Sequence, residues 1–131
     1  MKLNNLKNYA PILVRVGVSL VFLWFGINQL INPISFLSYF PKWLSIIMIN
    51  TNIPIILNGI FEIIFGFLLL IGLYTRISSL LLSINLFFIM VGLGYNDIAI
   101  RDFGLMLATF SVFLHGPDKW SFDNKKKKRN I

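Results

Sequence analysis

Seven side chains in this sequence can move protons, hold anions or anchor a hydrogen-bonded ligand, and all fall inside or at the edge of long apolar runs. Glu62 and Asp102 are carboxylates that accept or release a proton. Arg15 and Arg101 stabilise negative charge, and Gln29, Asn58 and Asn85 both donate and accept hydrogen bonds. In hydrocarbon an ionisable group costs at least about 2.5 kcal/mol at a helix centre, so each needs a partner or a wet cavity. Their spacing gives them common faces. Arg15, Ser19, Phe22, Gly26 and Gln29 recur at steps of four and three, and Asn58, Glu62 and Gly66 at steps of four, so each set forms one helical stripe. Ser78, Asn85 and Gly92 form a third. Arg101, Leu105, Ala108, Val112 and His115 form a fourth, with Asp102 and Thr109 on the adjacent one.

Three chemistries fit this set. A pocket of carboxylate, amide and guanidinium groups suits a quinone or a lipid headgroup, with Glu62, Asn58, Gln29, Arg101 and Asp102 as ligand-binding side chains. An internal network, with Arg15 and Asn85 as members and an ion pair between Glu62 and Arg15, would fix helix register with no ligand at all. A proton or ion path is the third. Glu62 can reach toward Arg101 or toward Arg15, and the residues do not choose between them. Arg101 and Asp102 diverge by about 100° on a helix, so they are not expected to pair simply with each other.

Other chemistries lack their residues. The chain has no cysteine, which removes disulfides, thiolate ligands and sulfur redox pairs. His115 is the only histidine, whereas bis-histidine haem ligation needs two axial ligands, with methionine a conceivable second one. Beside Gly116-Pro117 it reads as a helix end that complements the dipole. HExxH, zinc spacing and a Gly-rich phosphate loop do not occur, so no metal site is expected.

The elements that must hold these groups are membrane helices. Of 131 residues, 56% are hydrophobic and only 13% charged, and the mean hydropathy is +0.76, against about a quarter charged in a soluble domain. Four runs approach the roughly 20 residues that a span needs: about 11–31, 54–74, 77–95 and 98–115. The fourth is the weakest, since Phe103 to Leu114 alone is short. The expected fold is an all-α integral membrane four-helix bundle forming one domain over 1–123, with a basic tail over 124–131. A greasy loop over Asn32 to Ile53, broken by Pro33 and Pro41, suits interfacial helices capping the bundle outside.

Lys2, Lys7, Arg76, Lys119 and the basic tail all fall on one side, and only Lys42 on the other. The expectation is a multi-pass cell-membrane protein with cytoplasmic N- and C-termini. The first apolar run is too long for a signal's core and no cleavage site follows it. The net charge of +7 resides mainly in Lys125 to Arg129, which reads as a positive-inside anchor and not as a nucleic-acid surface. The lipid bilayer is the expected partner, and an oligomer is compatible with everything above.

These residues together resemble the DoxX family of small four-helix membrane proteins. The likeness runs through Arg15-Val16-Gly17, Phe25-Gly26-Ile27-Asn28-Gln29-Leu30 with Pro33, and Asn58-Gly59 with Glu62, Gly66, Leu70 and Gly72. It continues through Thr75-Arg76, Arg101-Asp102-Phe103-Gly104-Leu105, Gly116-Pro117 and Ser121-Phe122-Asp123. One departure is Gln29, where the family often carries Lys. The resemblance implies an accessory or anchoring membrane subunit of a quinone-linked oxidoreductase, since relatives look like membrane subunits of thiosulfate:quinone oxidoreductase or are linked with thiol and superoxide detoxification. A quinone is the ligand it implies, and a redox complex the partner. Glu62 would then relay a proton, Arg101 would stabilise negative charge with Asp102 orienting it, and Asn58 and Gln29 would donate hydrogen bonds. A mechanism like that of vitamin K epoxide reductase fails for want of cysteine. The alternatives are a small proton-coupled transporter and a purely structural membrane partner.

Overall fold

A computed structural model describes residues 3–39, 52–94 and 97–129. A 3-10 turn, Leu3–Asn8, leads into α1 (Ala10–Ile31), and a second, Pro33–Tyr39, follows it. Then come α2 (Asn52–Ile71), α3 (Thr75–Leu93), α4 (Asp97–His115) and α5 (Phe122–Arg129). The first four are long and apolar enough to cross a membrane, and the described residues contain no strand. This is the all-α four-helix membrane architecture expected. Of the predicted interfacial cap, Pro33–Tyr39 is the part seen, and positions 40–51 lie outside the described residues.

The helix ends follow from the sequence. Pro11 sits in the first turn of α1, where a missing N–H costs nothing. Pro33 stands just past its end. α2 stops three residues short of its apolar run because Gly72 takes φ +76°. Leu73 N then donates to Leu68 O at 2.9 Å and Gly72 N to Leu69 O at 3.1 Å, the paired bonds of a Schellman cap. A Cβ on Gly72 would lie 2.5 Å from that of Ser121, so this turn also seats the chain that returns after α4.

The four long helices pack as two close pairs, α1 on α2 and α3 on α4. Gly26 and Gly59 allow the first pair its approach: a Cβ on Gly59 would sit 2.9 Å from Gly26 O. Burial is inverted relative to a soluble bundle. Leu13, Ile64, Phe88 and Leu114 face outward while Arg15, Ser19, Gln29 and Glu62 are buried. Between the polar groups lies an apolar cluster of Val18, Phe22, Leu69, Leu82, Leu86 and Val112, none more than 6% exposed.

The stripes expected on α1 and α2 do face inward. On α3 Gly92 is exposed, and the buried face instead carries Thr75, Ser78, Ser79, Leu82, Ser83 and Leu86. On α4 the buried line is Ala99, Asp102, Thr109 and Val112, whereas Arg101 and His115 are exposed. The shift has a simple cause. Arg101 and His115 stand near helix ends and can extend their polar tips toward the headgroups, but the short Asp102 and Thr109 side chains must turn in to find partners.

The glycine contact yields a direct prediction. Gly59→Val would push a branched side chain onto the Gly26 carbonyl and part α1 from α2. The expected loss is about 2 kcal/mol, read as a lower midpoint of thermal unfolding in detergent. Gly104→Val, where a Cβ meets nothing within 4 Å, should leave that midpoint nearly unchanged.

Candidate functional site

Three helices bring the predicted ligand-binding side chains to one place. Gln29 from α1 donates from Nε2 to Glu62 Oε2 at 3.0 Å. Asn58, one turn before Glu62 on α2, donates from Nδ2 to Glu62 Oε1 and to Gln29 Oε1, each at 3.0 Å. Both carboxylate oxygens of Glu62 are therefore held by amides, and no cation pairs with it among the described residues. From α4 come Arg101 and Asp102. Contrary to expectation these sequence neighbours do meet, with Arg101 Nη2 3.4 Å from Asp102 Oδ1. The long Arg stem bends back across the 100° that separates them. Because half of the Arg101 side chain is exposed, this contact adds little stability.

Arg101 also lies over the Phe25 ring, 5.3 Å from its centroid, and Phe25 meets Phe36 edge to face at 6.1 Å. Glu62, Asn58, Gln29, Arg101 and Asp102 all line a single cavity of about 30 Å³, whose remaining wall is mostly aromatic and aliphatic. That volume admits a water or two, well below the several hundred Å³ of a ligand pocket. Chemically the site offers a carboxylate fixed by two amides, a second carboxylate, and one cation at the mouth.

Arg15 is elsewhere. Fourteen residues separate it from Gln29 along α1, roughly 20 Å at the helical rise. The ion pair with Glu62, one of the alternatives open from the sequence, does not form, because Arg15 is taken by Asp118. Arg15 Nε donates to Asp118 Oδ2 at 2.5 Å and Nη2 to Oδ1 at 3.3 Å. Nη1 donates to the carbonyls of Leu69 and Leu70 at 2.9 and 2.6 Å, two of the last four of α2, which lack an i+4 amide; Leu69 O shares its acceptor capacity with Gly72 N. Asp118 also accepts from Trp120 N at 3.0 Å. A second acid, Asp123, accepts from Tyr74 N and Thr75 N at 2.9 and 2.8 Å and so caps α3 from the far end of the chain.

Sequence reasoning did not single out Asp118 or Asp123. One signal was available: a buried Arg15 at the end shared with both termini needs an acid at that end, and only these two qualify. Asn85 joins neither cluster. Its Nδ2 is buried without a hydrogen-bond partner, as are the hydroxyls of Thr75, Ser78 and Ser83, all on α3.

Removing Asp118 would strand a buried guanidinium. Asp118→Ala should cost about 3 kcal/mol or more, seen as a fall in the unfolding midpoint, and the double variant with Arg15→Leu should recover part of that loss. A double variant no more stable than Asp118→Ala would contradict the pairing.

A family model described as DoxX matches residues 10–94, a stretch that runs from α1 through α3 and carries Arg15, Gln29, Asn58 and Glu62. Comparison with curated proteins and with solved structures returned no match. The four membrane-capable helices and this match over more than half the chain identify a multi-pass membrane protein that belongs to the DoxX family.

Proposed function

We propose that the chain is an accessory membrane subunit of a quinone-linked oxidoreductase, anchored in the cell membrane with both termini in the cytoplasm. The observation that carries this reading is the convergence of Gln29, Asn58, Glu62, Arg101 and Asp102 on one cavity. DoxX membership, often associated with redox systems, supports it. Reducing a quinone to a quinol takes two electrons and two protons. With no cysteine in the chain, the electrons are assigned to a partner, and this subunit supplies position and protons.

The cavity is too small for a quinone ring, so the ring would rest at its mouth against Phe25 and Phe36 with one carbonyl toward Arg101. The guanidinium would stabilise the charge that develops on that oxygen. Glu62 would pass its proton outward through a cavity water, held in place by Asn58 and Gln29, and be recharged from the same side. Asp102 would keep Arg101 aimed at the mouth.

The proton-coupled transporter is the weaker reading. It needs a polar route between both faces, yet Val18, Phe22, Leu69, Leu82, Leu86 and Val112 stand between the Glu62 cavity and the Arg15 cluster. A water route through such a plug would leave the water with no polar partners.

Glu62→Gln removes the transferable proton at nearly constant shape, although one of the two amides that donate to Glu62 loses its acceptor. In a reconstituted complex it should lower quinone-dependent turnover by about 10²-fold or more, the usual worth of a positioned acid or base, with stability reduced by no more than one lost hydrogen bond, about 1 kcal/mol. Unchanged turnover would sink the pocket assignment. A change confined to stability would point to a purely structural partner, and loss of proton-coupled uptake in vesicles would point to transport.

A further inference from the structure

Beyond that site, the opposite end of the bundle carries a surplus of positive charge that no acid among the described residues neutralises. Of the five acidic residues in the chain, Glu62, Asp97 and Asp102 lie at the other end. The two remaining are consumed: Asp118 by Arg15 and the Trp120 amide, Asp123 by the first amides of α3. The side chains of Lys7, Lys119 and Lys125 to Arg129 have no hydrogen-bond or ion-pair partner among the described residues. These cations also have a defined place. Asp123 N donates to Gly72 O at 2.9 Å and Ser121 packs on Gly72, so the basic helix α5 begins clamped against the α2–α3 turn and does not trail freely.

At the same end of the bundle runs an apolar groove of about 520 Å³ between the N-terminal part of α1 and the returning chain, lined by Leu6, Tyr9, Leu13, Val16 and Trp120 among others. Tyr9 and Trp120 meet edge to face at its rim, with centroids 5.9 Å apart. Amphipathic rings of this kind mark the level of lipid headgroups. From Ala10 to Val16 the groove descends roughly 9 Å along α1, toward the acyl region. Lys7 precedes Tyr9 by two residues, and Lys119 adjoins Trp120.

We propose that this groove is a discrete binding site for one anionic glycerophospholipid of the leaflet that faces the termini. An acyl chain lies along Leu13 and Val16, the glycerol backbone sits between Tyr9 and Trp120, and Lys7 and Lys119 hold the phosphate. Charge selects the occupant. A zwitterionic lipid would fill the same groove but bring its own cation toward Lys7 and Lys119, whereas an acidic lipid adds net negative charge where the nearest acid, Asp118, is already taken by Arg15. The Lys125 to Arg129 segment raises the local concentration of acidic lipid without entering the groove.

The full chain, purified in mild detergent and offered equal amounts of phosphatidylglycerol and phosphatidylcholine, tests this by native mass spectrometry. One phosphatidylglycerol should be retained with at least ten-fold preference. Lys7→Gln with Lys119→Gln should reduce that preference to under three-fold, Val16→Trp should expel the lipid by filling the groove, and neutralising Lys125 to Lys128 to Gln should leave the single retained lipid in place. Circular dichroism checks that each variant keeps its helices, and the surface lysine pair remains decisive if Val16→Trp does not fold. Equal retention of the two lipids, retention unchanged in Val16→Trp, or loss of preference with the Lys125 to Lys128 variant alone would overturn the site.

Discussion

Hydrocarbon offers no hydrogen bonds, and that constraint organises this molecule. Every ionisable group on the four spanning helices must reach another protein group, a trapped water or the headgroup layer. Arg15 answers it most completely, with its guanidinium bonded to Asp118 and to two carbonyls at the end of α2. In doing so it ties α1 to α2 and both to the segment that follows α4. Replacing such a buried pair by apolar residues can cost nothing, so the bond is better understood as fixing which elements meet than as adding stability.

The same constraint yields two polar layers at opposite ends of the bundle with apolar packing between them. In the buried layer near the termini Arg15 is matched by Asp118 and two carbonyls, and Asp123 by two backbone amides. The other layer is different in kind. Glu62 is held by amides and not by a cation, Arg101 stands half exposed, and a small cavity connects them. A neutralised cluster suits architecture, while an unneutralised carboxylate beside a cavity suits proton handling.

Much of this was readable from residue spacing. The faces of α1 and α2 were plain because polar and small residues recur at steps of three and four against an otherwise unbroken apolar background. On α4 the reading was off by one helical step, since Arg101 and His115 are polar but long enough to leave the core, and it is the short Asp102 that turns in. The missed partner of Arg15 lies 103 positions away in a segment outside the apolar runs, where helical periodicity carries no information. Asp123 belongs to the Ser121-Phe122-Asp123 block through which the DoxX resemblance runs, but its role is not legible there, because capping a helix from a distant segment leaves no local pattern. Arg101 and Asp102 were expected apart on backbone geometry alone, which neglects the reach of an arginine side chain.

The absence of native cysteine makes the separation of the layers open to direct measurement by single-cysteine labelling in oriented vesicles with a membrane-impermeant thiol reagent. Asn58→Cys should react only from the face opposite the termini, and Leu82→Cys, within the apolar plug, from neither. Labelling of Leu82→Cys from water, or of Asn58→Cys from the face that bears the termini, would contradict that separation.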